Sequence, residues 1–190
     1  MLNRIVLFII IFFLIGCTNK KYQNPQIKIA TNYGDIILEL YPKQAPKTVA
    51  AFLQNVSINT YNNTTFYRVI KNEDLQAANN YGVIQGGVYP KLPQQNTIPH
   101  EPTSLTLVKH EDGTISMASL GAGTATTEFF ICIGEQPRFN AGSIGTADKL
   151  GFAAFGKVVK GMGVVRQIQA SKNVGDKIIE KVIIENIYKL

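Results

Sequence analysis

Short, β-branched segments of four to eight residues, most of them bounded by glycine, follow one another along nearly the whole chain, and this succession limits the fold more than any other feature. Ile27, Ile29 and Thr31 alternate with polar neighbours, Tyr33-Gly34-Asp35 interrupts, and Ile36, Leu38 and Leu40 alternate again. That pattern predicts two strands joined by a tight turn. Further segments at 64–70, 83–86, 114–118, 129–133, 155–159 and 181–188 bring the strand number to about eight. Two stretches change period. Val49, Phe52, Leu53 and Val56 recur at helical spacing behind Pro46, which predicts a helix over 46–57 with proline in its first turn. Met162, Val165 and Ile168 predict a second helix over 161–169. The expected fold is mainly β: a closed eight-stranded antiparallel barrel capped by two helices, because closure removes the sheet edges that would otherwise aggregate. A barrel of this size fills its interior with side chains, so a site must lie on its outside.

The N-terminus carries one charge, Arg4, before an apolar or small run from Ile5 to Gly16 that ends at Cys17. The run is shorter than the roughly 20 residues that span a bilayer. Residues 1–16 therefore read as a signal peptide, 17–25 as a polar tether and 26–190 as a single domain. Leu14-Ile15-Gly16-Cys17 resembles the lipobox of bacterial lipoproteins, which implies lipidation of Cys17 and a body anchored to a membrane on its extracytoplasmic side. Thr18, in place of a retention aspartate, points to the outer membrane in a double-membrane cell. The formal net charge of +6 is scattered, without a Lys/Arg run or interleaved aromatics, which argues against nucleic acid and suits an anionic membrane surface. Cys132 lies in the apolar run 129–133 and reads as a small buried hydrophobe, so no disulfide is expected.

Thr65-Phe66-Tyr67-Arg68-Val69-Ile70 and, after an irregular stretch, Val83-Ile84-Gln85-Gly86-Gly87 place one Arg and one Gln on apolar strands beside paired glycines. This predicts a groove for peptide backbone. With Gly113-Thr114-Ile115-Ser116-Met117-Ala118, Glu128-Phe129-Phe130-Ile131 and Phe152-Ala153-Ala154-Phe155-Gly156-Lys157-Val158 in the same order, the chain resembles bacterial cyclophilin-type peptidyl-prolyl cis-trans isomerases from Ile27 to Tyr188. The resemblance implies Arg68 as the catalytic residue and a substrate surface of Phe66, Gln85, Met117, Ser119, Glu128, Phe130, Phe139 and Phe152. Phe130 would be the floor under a proline ring and Met117 its wall. Gln85 and the main chain of Ser119 would hold substrate backbone. Glu128 stands where glutamine is usual, and its carboxylate is expected to pair with Arg68. Gly82 replaces an aromatic wall residue, Phe152 replaces a histidine common in eukaryotic members, and residues 71–80 are inserted, which suggests a divergent bacterial subgroup. In Gln136-Pro137-Arg138-Phe139-Asn140 either Arg138 or Phe139 fills the place of the family's loop tryptophan.

His100-Glu101 and His110-Glu111 do not have metal-ligand spacing, and Pro99 and Pro102 forbid a zinc helix there. No cofactor and no metal is expected. The expected partners are proline-containing polypeptides, the expected state is a monomer, and the expected role is to assist the folding of extracytoplasmic proteins. A second reading, favoured by Gly82 and Glu128, is a proline-peptide binding module with weak or no catalysis.

Overall fold

The computed structural model describes residues 24–71, 82–90 and 96–190. The expected signal peptide, the lipidation site at Cys17 and nearly all of the insertion lie outside the described residues. Nine strands form one antiparallel sheet: β1 (Gln26–Thr31), β2 (Gly34–Leu40), β3 (Thr64–Lys71), β4 (Gly82–Gly87), β5 (Thr114–Met117), β6 (Phe129–Ile133), β7 (Ala153–Lys160), β8 (Asn173–Val174) and β9 (Lys177–Lys189). The order β1-β2-β7-β5-β6-β4-β3-β9 returns on itself because β9 also pairs with β1, from Ile27 opposite Lys189 to Thr31 opposite Ile184. Eight strands thus close the expected barrel. The two-residue β8 only folds back on β9.

Alternation decides what fills the barrel. Ile27 and Ile29 of β1, Ile36, Leu38 and Leu40 of β2, and Phe129, Ile131 and Ile133 of β6 point inward and share one buried cluster with Phe66, Ile84, Ile115 and Phe155. Burying each such side chain stabilises the fold by about 1.5–3 kcal/mol. Helix α1 (Pro46–Ser57) has the expected bounds and adds Val49, Phe52 and Val56 to that cluster at one end. The N-cap, Ala45, offers no side-chain bond. Glu101 replaces it from a distant loop: its buried carboxylate accepts the Thr48 amide at 2.8 Å, the Thr48 hydroxyl at 2.7 Å and the Lys47 amide at 3.2 Å. Those amides belong to the unpaired, electropositive first turn, so a carboxylate there both satisfies donors and opposes the helix dipole.

The expectation of two helices is corrected. Besides α1 and the second expected helix, here Met162–Gln169, a one-turn helix occupies Thr103–Thr106 and a 3-10 turn occupies Pro137–Phe139. We number the helices α1, α2 (Thr103–Thr106) and α3 (Met162–Gln169). One turn is too short to show a period of 3.6, so α2 leaves no signal in the hydrophobic pattern.

Candidate active site

A strand that keeps strict alternation cannot hold Phe66 and Arg68 on opposite faces, yet β3 does so. The register against both β4 and β9 shifts between Phe66 and Arg68, and Tyr67 is the extra residue of a β-bulge. Phe66 and Val69 consequently enter the barrel, while Tyr67 and Arg68 both face outward. Bulges re-aim side chains in this way without breaking the sheet. On the outer face, Gln85 of β4 pairs in register with both Arg68 and Phe130 of β6.

These neighbours share a hydrogen-bond chain. Arg68 Nε donates to Asp176 Oδ2 at 2.6 Å, and Arg68 Nη1 donates to Gln85 Oε1 at 3.2 Å. The Gln85 amide nitrogen donates to the Tyr67 hydroxyl at 2.6 Å and to Glu128 Oε2 at 3.2 Å. Among the described residues, Nη2 of Arg68 has no partner. The Arg68 guanidinium beside Asp176 holds that carboxyl below its ordinary range, whereas burial and then the Glu128 charge push the Tyr67 phenol up. Tyr67 also stacks on Tyr89, centroids 4.4 Å apart.

Next to this chain lies a cavity of about 370 Å³, whose lining includes Arg68, Gln85, Ser119, Glu128, Phe130, Phe139 and Phe152. Phe130 forms its base. The rings of Phe139 and Phe152 meet Phe130 edge-on at 5.5 and 5.2 Å, and the Phe152 amide donates to the Phe139 carbonyl at 3.0 Å, tying the two together. Behind Phe130, His110 stacks at 5.9 Å and is almost fully buried. Asn140 Oδ1 accepts from both the His110 amide and ring Nδ1, at 3.1 and 2.9 Å, so Nε2 is left to accept from the Ser116 hydroxyl at 3.0 Å. Burial pushes the imidazole down to about 4, which keeps it neutral. The facing wall, Ser119, Leu120 and Thr124, is held by Asp148, whose carboxylate accepts the Ala122 amide at 2.9 Å and the Leu150 amide at 3.0 Å.

Seven of the nine residues expected at the groove line it: Arg68, Gln85, Ser119, Glu128, Phe130, Phe139 and Phe152. Phe66 and Met117 are corrected. Both are buried in the barrel interior, where Phe66 meets Phe129 edge-on at 5.8 Å, and neither lines the cavity. The expected Arg68–Glu128 pair is corrected as well, since Arg68 pairs with Asp176 and Glu128 reaches it only through Gln85. Of the two loop alternatives, Phe139 enters the lining and Arg138 stays exposed, its guanidinium 5.8 Å from the Phe139 ring centre. The glycines have a packing role. A Cβ on Gly86 would lie 2.8 Å from the Phe66 ring, and one on Gly82, where φ is +137°, would lie 1.8 Å from the Ile70 carbonyl oxygen. No aromatic wall can therefore stand at 82, and Ile70 and Val83 line that side instead. Asp176, Tyr67, Tyr89 and His110 were not foreseen at the site. Alternation with Phe66 already puts Tyr67 on the outer face, but the turns and loops that carry the other three have no period to read.

An apolar pocket with one fixed cation at its rim is suited to holding an uncharged ring and placing charge beside it. Residues 26–189 match the family model described as cyclophilin type peptidyl-prolyl cis-trans isomerase/CLD. A peptidyl-prolyl cis-trans isomerase of Acinetobacter baylyi is 33% identical over 147 residues, covering 76% of this chain and 72% of that protein. Peptidyl-prolyl cis-trans isomerase B of Escherichia coli is 34% identical over 141 residues, covering 73% and 80%. The crystal structure of a cyclophilin type isomerase from Cryptosporidium parvum superposes with a TM-score of 0.72 at 26% identity, covering 88% of this chain and 98% of that one. A second structure of the same protein, obtained in the presence of the dipeptide Ala-Pro, gives a TM-score of 0.69.

Proposed function

We propose a mechanism from one premise: the chain belongs to the cyclophilin-type peptidyl-prolyl cis-trans isomerase family, and isomerisation of X-Pro bonds is its activity. The X-Pro amide resists rotation by about 18–20 kcal/mol because its nitrogen shares a lone pair with the carbonyl. Twisting the bond returns that pair to nitrogen and makes it an acceptor. A donor that meets the nitrogen only in the twisted state lowers the barrier without covalent chemistry. Arg68 is that donor. The observation that carries this assignment is its guanidinium, held by Gln85 and Asp176 at the rim of the Phe130 pocket with Nη2 unpartnered among the described residues. The substrate is a proline-containing polypeptide whose prolyl ring sits on Phe130 between Phe139 and Phe152, while Gln85 and the Ser119 main chain hold its backbone. In a protease-free isomerisation assay on the body beginning after Pro25, Arg68→Ala should lose most activity yet remain folded. Turnover like that of the wild type would sink the assignment.

The setting is a bacterial envelope. We infer that Cys17 is lipidated, that residues 1–16 are removed, and that the body acts on secreted or envelope proteins as a lipoprotein form in a divergent bacterial subgroup. The apolar run ending in Leu14-Ile15-Gly16-Cys17 supports this, since two or three acyl chains bind a bilayer at about 0.8 kcal/mol per buried methylene. Detergent partitioning and intact mass of wild type and Cys17→Ser test it, and an unlipidated mature wild type would refute it.

A further inference from the structure

We propose that Asp176 is a positioning residue for isomerisation: its carboxylate, bound to Nε, sets the direction in which Arg68 presents Nη2 to the groove. This rests on the reading of Arg68 given above. Arginine is flexible along its stem, and an unheld guanidinium at a groove rim would sample many directions. A planar fork is immobilised once two of its nitrogens have fixed acceptors. Here the acceptors come from opposite sides, Asp176 Oδ2 at 2.6 Å on Nε and Gln85 Oε1 at 3.2 Å on Nη1. Both acceptors are themselves held. Gln85 sits on β4, between β3 and β6, with its nitrogen engaged by Tyr67 and Glu128. Asp176 follows Gly175, at φ +58°, in the β8–β9 turn, and its carbonyl accepts the Val69 amide at 2.8 Å, one residue beyond Arg68. The main chain of Asp176 is thus pinned to the same bulge that turns Arg68 outward.

The side chains of Arg68 and Asp176 are 40% and 55% exposed. An ion pair so open to water adds little to stability. Its consequence must therefore be read in turnover rather than in melting temperature. The carboxyl is held ionised well below neutral pH by Arg68, so the contact persists across the range in which an isomerase is assayed.

Asp176→Ala and Asp176→Asn, each alone and combined with Arg68→Ala, test the inference in the protease-free assay, with kcat and KM resolved and thermal melts run beside them. Asp176→Ala should lower kcat about tenfold with KM within about twofold, because misdirection costs the transition state and not ground-state binding. Asp176→Asn, whose amide oxygen still accepts from Nε, should recover most of that loss. In the Arg68→Ala background Asp176→Ala should cost nothing further, as expected of two residues acting as one unit. A wild-type kcat for Asp176→Ala beside a crippled Arg68→Ala would overturn the inference and leave the role of Arg68 standing. The same tenfold loss persisting without Arg68 would overturn it too, since the turn would then act by another route. If Asp176→Ala melts early, Asp176→Asn decides: no recovery of kcat refutes positioning. A wild-type Arg68→Ala would remove the reading of Arg68 and this inference together.

Discussion

Phe129 and Phe130 are neighbours on one strand and almost equally buried, at 0% and 4% exposure, yet they belong to two different structures. Phe129 looks into the barrel and meets Phe52, Tyr61 and Phe66 edge-on, with centroids 5.6–5.8 Å apart. Phe130 looks out, meets Phe139 and Phe152, and rests on a histidine whose ring nitrogens are hydrogen-bonded to Asn140 and Ser116. Edge-to-face geometry is common to both clusters, as ring quadrupoles favour. Burial therefore does not separate core from site here. Two other features do: the face of the sheet, and the polar groups fixed behind the outer rings. The inner cluster holds the barrel closed, and the outer one keeps a pocket open at the surface.

The largest effect that could break this distinction is an alanine scan of the pair. Phe129→Ala should cost about 3–5 kcal/mol of stability, seen as a melting temperature lower by roughly 10 °C, with near-normal turnover in whatever remains folded. Phe130→Ala should lose turnover and peptide affinity together, about tenfold or more in kcat/KM, since the floor under the prolyl ring is gone. If Phe130→Ala is merely unstable and keeps its kcat/KM, the outer cluster is core after all and the pocket assignment is wrong.

Acid sharpens the comparison next. His110 titrates near 6.5 in an unfolded chain and at about 4 in the fold, so between those values the unfolded state takes up the proton first. A depressed histidine makes stability complete above the unfolded value and lost progressively as pH falls toward the folded one. That loss can reach about 3 kcal/mol by the lower limit. Urea unfolding of the wild type at about pH 7 and pH 4.5 should show it, and His110→Gln should flatten that part of the slope. An equal slope in both would mean that the outer cluster does not hold its histidine neutral.

The smallest effect is expected at Glu128. Its contact is to the Gln85 amide nitrogen and the Tyr67 hydroxyl, and not to Arg68. Glu128→Gln preserves an acceptor there, so kcat/KM should stay within about twofold. A large gain would show that the carboxylate restrains the site, and a binding module with suppressed catalysis would become the better reading.

Much of this was legible because some residue types are informative wherever they fall. Arg68 and Gln85 stood out on apolar strands, helix α1 announced itself by Pro46 and four spaced hydrophobes, and closure followed from the number of short strands. Phe66 and Met117 were misplaced for a shared reason. Each was placed at the groove by resemblance, and in a barrel whose outer face also carries a buried cluster the apolar character of a strand residue does not show which face it takes.

The sequence by itself determined the barrel, through the local period of its short strands, and, through the resemblance of its ordered motifs to a known family, the arginine, glutamine and aromatic residues from which a proline site can be built. Tertiary structure alone decided how they are aimed. A single extra residue at Tyr67 reverses the face of Arg68. The partner that holds Arg68, Asp176, is 108 positions away in the chain, and Asn140, which fixes the histidine beneath the floor, is 30 positions from His110. Contacts of that range leave no periodic trace, because they arise only where closure of the barrel brings separate turns and strands to one place.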